Sequence, residues 1–189
     1  MRLVNVVLLL FSAWPVGELV FARFRTANRA DAEARDRGSF GVLWALIGVS
    51  ILLGFLLQTV PGPRIPMPLE RRALVALALL AAGLLLRIVS IVTLGRFFTV
   101  NVAVHEGQTV VQSGPYRWIR HPSYAGALIA LLGIAILPGS WLSFAVVVIP
   151  ITCAFLYRIH VEERALTEHL GESYRAYSRT TSRLIPWIY

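Results

Sequence analysis

The residues of this chain best suited to chemistry are gathered in one short stretch, Gly114-Pro115-Tyr116-Arg117-Trp118-Ile119-Arg120-His121-Pro122-Ser123-Tyr124-Ala125-Gly126. Two Arg, one His and two Tyr stand there between turn-forming residues, in a chain that is otherwise largely apolar. A guanidinium is a fixed cation whose forked donors suit carboxylates and phosphates. Aromatic faces can hold a cation. Pro122 is preset for the first position of a helix, where its missing N–H is no loss. The stretch reads as an ordered polar loop that feeds the next helix and binds a charged ligand at a membrane surface.

A second set follows in Arg158-Ile159-His160-Val161-Glu162-Glu163-Arg164-Ala165-Leu166-Thr167-Glu168-His169-Leu170-Gly171. Gly171 is a natural helix stop. At the helical period, Ile159, Leu166 and Leu170 share one face, with Glu163 in its middle and Glu162 at its edge. A carboxylate on an inward face must be paired or put to use, because burying it alone is costly. An ion pair with Arg120 or Arg117 would be a structural solution, and a cationic ligand group a functional one. Tyr174 and Tyr177 face one way on a short helix, as core aromatics or as walls of the site. His121 either shapes its loop or touches the ligand.

These residues need elements to hold them. The chain has 189 residues, of which 57% are hydrophobic, with a mean hydropathy of +0.68. Long apolar runs of this kind mark a polytopic membrane protein. Five spans are expected: Leu3 to Ala22, Phe40 to Val60, Ala73 to Leu94, Pro122 to Leu137 and Trp141 to Tyr157. The first continues past Pro15 to Phe21, which fits a span better than a cleaved signal peptide. Pro61-Gly62-Pro63 closes the second. Only Pro138-Gly139-Ser140 joins the last two, so they form a short helical hairpin, and the helix of the fifth runs on to Gly171. Between Gly95 and Gly114, the alternation of Val100, Val102 and Val104 and the run Thr109-Val110-Val111 suggest a small β-hairpin over the site. The expected fold is all-α and membrane-integral, a single domain over residues 1–189, with three transmembrane helices in 1–94 and a cofactor-binding catalytic half in 95–189.

The formal net charge of +8 comes from Arg alone, since the chain has no Lys. The charge sits in loops between apolar spans, which fits topology and anionic headgroups and gives no reason to expect nucleic acid. The positive-inside rule places the N-terminus outside, and the Gly114 stretch and C-terminal tail on the cytosolic face. Arg87, inside the third span, is either functional or snorkels to the nearby cytosolic surface. Cys153 is the single cysteine, so no disulfide framework exists. The four His show no metal-ligand spacing, and no metal is expected. The chain contains no Gly-x-Gly and no Gly-x-Ser-x-Gly, so a Rossmann or P-loop site and a hydrolase elbow have no support.

Arg120-His121-Pro122-Ser123-Tyr124-Ala125-Gly126 resembles the Arg-His-Pro-x-Tyr-x-Gly motif of the isoprenylcysteine carboxyl methyltransferase family. Glu162-Glu163-x-x-Leu166, Gly171-x-x-Tyr174-x-x-Tyr177 and Arg183-x-x-Pro186 resemble its C-terminal signature, and Leu94-Gly95-Arg96 and Gly114-Pro115-Tyr116-Arg117 match in style. The resemblance covers about Gly95 to Pro186. It implies an integral membrane enzyme that takes a methyl group from S-adenosylmethionine. Carried over motif by motif, it puts Tyr116, Arg120, His121, Tyr124 and Gly126 in the cofactor pocket, closed by Glu163 and Glu162, with Tyr174 and Tyr177 beside them. Arg183 is the candidate for the acceptor side, with Arg96 and Arg87 behind it, and Arg120, Glu163 and Arg183 form the catalytic set.

The implied acceptor is lipophilic, most simply the carboxylate of an isoprenylcysteine or similar isoprenoid, entering sideways from the bilayer between the second or third span and the short hairpin. Methylating a carboxylate needs no general base, since that acceptor is already ionised at neutral pH. A thiol or amino-phospholipid acceptor would need one, from His121 or Glu163. Two further readings are a membrane reductase of the sterol type using NADPH, and a non-enzymatic scaffold whose polar loop binds headgroups. An Arg-only, Ala-rich composition is bacterial in style and points to the inner membrane.

Overall fold

The computed structural model describes residues 2–24, 39–98 and 107–189, and among these every regular element is helical. The helices are α1 (Arg2–Phe24), α2 (Ser39–Leu56), α3 (Leu69–Leu94), α4 (Pro122–Ile136), α5 (Trp141–Leu170) and α6 (Glu172–Thr180). Short 3-10 turns lie at Leu57–Thr59, Gly95–Phe97 and Gly114–Arg117. Among the described residues three stretches are long and apolar enough to cross a membrane: Gly41–Thr59, Leu69–Phe97 and Trp141–Leu170. Leu3–Trp14 and Pro122–Ile136 are shorter apolar helices.

Local chemistry explains most boundaries. α3 starts a turn earlier than its apolar run, because Pro68 precedes it and Glu70 falls in its first turn, where a carboxylate meets the helix dipole favourably. α4 opens on Pro122. α5 is capped by Ser140, whose hydroxyl accepts from the Ser143 amide at 3.5 Å. It then runs 30 residues, on the order of 45 Å, which exceeds the hydrocarbon thickness of about 30 Å. The surplus is the stretch that carries Glu162 and Glu163. Gly171 ends it at φ 57, a left-handed conformation that glycine adopts without penalty.

α3 packs chiefly on α4, and α2 on α5, with α4 and α5 joining the two pairs. The α3–α4 contact is backbone on backbone. A Cβ on Gly126 would lie 2.6 Å from the Gly83 carbonyl oxygen, and one on Gly83 would lie 2.4 Å from that of Gly126. Small residues at such crossings allow the close approach that drives helix association in lipid. At the end where α4 meets α5, the loop before α3 and the first turn of α3 are tied to their turn. The Ile65 amide donates to Gly139 at 3.0 Å, and Arg72 donates through Nη1 to the Leu137 carbonyl at 2.7 Å. At the opposite end, residues 182–183 run beside the start of α4, with the Arg120 and His121 amides donating to the Ser182 and Arg183 carbonyls at 2.8 and 3.0 Å.

The β-hairpin expected between Gly95 and Gly114 falls partly on residues 99–106, which lie outside the described residues. Gly107 to Ser113 are described and form no strand. Thr109-Val110-Val111 has strand-forming residues, yet it lies along the site cleft instead of pairing in a ladder.

Candidate active site

The polar loop and the end of α5 meet around Glu163. Arg120 donates through Nε to Glu163 Oε1 at 2.8 Å, and Arg183 donates through Nε to Oε2 at 3.0 Å. His121 Nε2 lies 3.3 Å from the same Oε1. Arg120 also donates through Nη1 to the carbonyls of Ser178 (2.9 Å) and Thr181, which fastens the end of α6 and the residue after it to the loop before α4. Glu163 is thereby the knot joining α4, α5 and the C-terminal segment. This is the structural ion pair that an inward carboxylate requires, with Arg120 as partner and not Arg117, whose guanidinium lies over the Trp118 ring at 5.2 Å.

Glu162 faces elsewhere. It lines a cleft together with Tyr116, Arg120, His121, Tyr124, Tyr174 and Tyr177, closed on one side by Gln108 to Val111. Its Oε2 is buried and makes no hydrogen bond, with His121 Nδ1 at 3.7 Å, and the buried Tyr174 hydroxyl is likewise without a hydrogen-bond partner. The rest of the wall is ordered. Tyr177 donates to the Tyr116 carbonyl at 2.7 Å, Tyr174 and Tyr177 meet edge to face at 6.0 Å, and His121 stacks on Tyr124 at 5.6 Å. Burial pushes the Tyr177 phenol up to about 12 and raises those of Tyr116 and Tyr174 as well. All three therefore present neutral hydroxyls and π faces at neutral pH.

Behind Tyr124 and Phe98, which line both spaces, lies a second cavity of about 520 Å³. Its walls are apolar side chains of α1, α2, α4 and α5, among them Phe11, Leu43, Ile47, Leu131 and Phe155. Two cations stand on its lining, Arg87 and Arg158. Arg87 donates to the Ser123 hydroxyl at 2.8 Å and to its carbonyl at 3.2 Å, while Arg158, 2% exposed, donates through Nε to the Tyr124 hydroxyl at 3.0 Å. Arg87 thus reaches across to α4 and does not snorkel to the surface.

Of the residues singled out from sequence, Tyr116, Arg120, His121, Tyr124, Glu162, Tyr174 and Tyr177 share one cleft. Glu163 and Arg183 lie behind its wall as an ion pair. Gly126 is not in the cleft, since it faces α3 at the helix crossing. Arg96 lies over the Phe97 ring and lines neither cavity. Arg158 is the residue that sequence reasoning missed. It looked like the first basic residue past an apolar run, although it stands one helical turn before Glu162, on the inward side.

Comparisons with known proteins agree with this architecture. A model of the isoprenylcysteine carboxyl methyltransferase (ICMT) family matches residues 75–168. Protein-S-isoprenylcysteine O-methyltransferase A of Arabidopsis thaliana is 35% identical over 119 residues, which cover 59% of this chain and 58% of that protein. The methanethiol S-methyltransferase of Mycobacterium tuberculosis is 39% identical over 72 residues, covering 38% of this chain and 28% of the relative. The solved structure of the eukaryotic intramembrane Ras methyltransferase ICMT superposes with a TM-score of 0.63 at 26% identity, over 77% of this chain and 52% of that one. The match thus spans a little over half the length of the Arabidopsis relative and of the solved structure, and 28% of the methanethiol enzyme. With the helical architecture, the ordered motifs and these similarities in agreement, the chain belongs to the isoprenylcysteine carboxyl methyltransferase family.

Proposed function

We propose that this chain is an integral membrane methyltransferase that moves a methyl group from S-adenosylmethionine to the carboxylate of an isoprenylcysteine or similar isoprenoid. The observation that carries the reading is the pair of unlike spaces on either side of Tyr124 and Phe98. One is lined by polar and aromatic groups, the other by apolar groups with two guanidiniums.

The cleft suits the donor. Buried Glu162 Oε2 and the Tyr174 hydroxyl lack hydrogen bonds within the protein, an arrangement that is costly unless a ligand supplies the partners. The ammonium and ribose hydroxyls of S-adenosylmethionine are such partners. Tyr116, Tyr124 and Tyr177 offer π faces to a sulfonium. Arg120 brings positive charge, and His121 a ring N–H donor, to the side where its carboxylate would be held. When bound, this cofactor supplies an electrophilic methyl group. In this reading Glu162 contacts the donor, while Glu163 and Arg183 position Arg120 and His121. Both assignments differ in rank from those suggested by sequence.

The second space suits the acceptor. Its apolar walls match an isoprenoid chain, and Arg87 and Arg158 match a carboxylate at one end of it. Tyr124, held by Arg158, stands between the two spaces and sets the acceptor's approach. A carboxylate oxygen is already a nucleophile at neutral pH, so the residues need only align the reactants and exclude water. A thiol acceptor is a second reading, prompted by the methanethiol S-methyltransferase relative. His121, between Glu162 and Glu163, would then be the base. The size and charge of the inner cavity favour the larger anionic acceptor.

The distribution of Arg between the loops supports a site on the cytosolic face of an inner membrane, with the N-terminus outside and α1 to α5 as five spans of one domain over residues 1–189. The test is labelled-methyl transfer by the full chain in nanodiscs, offered a farnesylated cysteine derivative or a small thiol, with calorimetric titration of S-adenosylmethionine and of NADPH. Transfer to the farnesylated carboxylate and binding of S-adenosylmethionine alone are expected. Binding of NADPH instead, or of neither, would overturn the reading.

A further inference from the structure

The chain after α6 folds into a closed turn that displays apolar side chains. The Leu184 and Ile185 amides donate to the Tyr189 carbonyl at 2.7 and 2.9 Å, and the Trp187 amide donates to the Ser182 hydroxyl at 2.9 Å. Arg183 lies over the Tyr189 ring at 5.3 Å and donates to its hydroxyl at 2.9 Å. Within this frame Trp187 is held at φ 62, a left-handed conformation that a bulky side chain adopts only when its surroundings impose it. The effect is to turn Trp187 and Ile188 outward, 90% and 80% exposed, beside the half-exposed Ile185. Trp118, also half-exposed, belongs to the same surface, because its carbonyl accepts from the Ser182 amide at 3.0 Å and Arg117 covers its ring.

The depth of this surface follows from Leu184. It is buried with Ile119, Ala125 and Ile159 against Leu86, Leu128 and Leu156, apolar residues of α3, α4 and α5. A segment whose first side chain packs among three membrane helices has its next residues at the boundary between headgroups and acyl chains. Exposed Trp, Ile and Arg at that level match the composition of interfacial anchors, in which the indole takes the boundary and Arg the phosphates.

We propose that Trp118, Ile185, Trp187 and Ile188 form a foot that rests in the lipid interface on the side where α4 begins, with Arg117 on the phosphates. Since Arg183 joins this turn to Glu163, the foot also fixes the distance between the bilayer and the ion-paired knot.

The test uses the full chain in phosphatidylethanolamine and phosphatidylglycerol liposomes, in a Cys153→Ala background, with a nitroxide at Ile188→Cys or at Arg175→Cys on exposed α6. Oxygen collisions are expected to exceed nickel-chelate collisions several-fold at Ile188→Cys, and the order to reverse at Arg175→Cys. Chelate-dominated collisions at Ile188→Cys would show a surface free in water and overturn the proposal. Exclusion of both quenchers, or dipolar broadening between labels, would assign the surface to a second copy and overturn it equally. Independently, Trp187→Phe should remove a component of tryptophan emission that brominated lipids quench. An unchanged quenchable component would also refute the foot.

Discussion

Glu162 and Glu163 are adjacent in sequence and opposite in circumstance. Glu163 is met by two guanidiniums and an imidazole, whereas Glu162 Oε2 is buried without a hydrogen bond in a cleft of tyrosines. The helical stripe of Ile159, Leu166 and Leu170 was legible and correctly marked both carboxylates as inward. It set Glu163 at the centre and Glu162 at the edge, whereas Glu162 is the one that lines the cleft, because that depends on which side of α5 receives the loop before α4. Arg158 was hidden for a similar reason. The apolar run ends at Tyr157, so an Arg just beyond it reads as a surface charge unless the Tyr124 hydroxyl is known to stand opposite. The knot around Glu163 has a direct consequence for stability. Glu163→Gln removes the charge on which Arg120 and Arg183 converge, at a cost of about 2 kcal/mol. Thermal unfolding in detergent should show a clearly lowered midpoint, with a smaller loss in Glu172→Gln, whose ion pairs with Arg175 and Arg179 are exposed.

At the scale of elements, the helices were legible because their apolar runs are long and their ends are marked by Pro61-Gly62-Pro63, Pro122, Ser140 and Gly171. The run of α5 beyond its apolar part was legible too, from the stripe and the glycine stop. Which helices touch was not. Gly126 belongs to a motif rich in ligand-type residues, and only the crossing of α3 and α4 shows that it serves their contact. A side chain there meets the Gly83 carbonyl oxygen and the Arg87 backbone. Gly126→Leu should therefore part α3 from α4, with a penalty of about 2 kcal/mol or more from overpacking. The melting midpoint in detergent should fall, and Arg87 should lose its hold on Ser123. A variant as stable as the parent would mean that the helices are not so closely apposed.

On the scale of the molecule, the fold brings two spaces of unlike chemistry to either side of Tyr124 and Phe98. No single motif announces this arrangement. The residues of the cleft are concentrated in two stretches of sequence, while those of the apolar cavity are drawn from α1, α2, α4 and α5 and look like ordinary membrane-helix residues. Hence the residues that line the cleft could be grouped from sequence and those of the apolar cavity could not.

The division of labour between the two spaces is tested most directly by one pair of variants, Glu162→Gln and Arg158→Met, measured for both the Kd of S-adenosylmethionine and the KM of a farnesylated carboxylate acceptor. Glu162→Gln is expected to weaken donor binding at least tenfold, about 1.4 kcal/mol, with little change in acceptor KM. Arg158→Met is expected to raise acceptor KM by a similar factor with donor affinity nearly intact. Equal losses of donor binding in both variants, or no loss in either, would contradict a donor cleft and an acceptor cavity that meet at Tyr124.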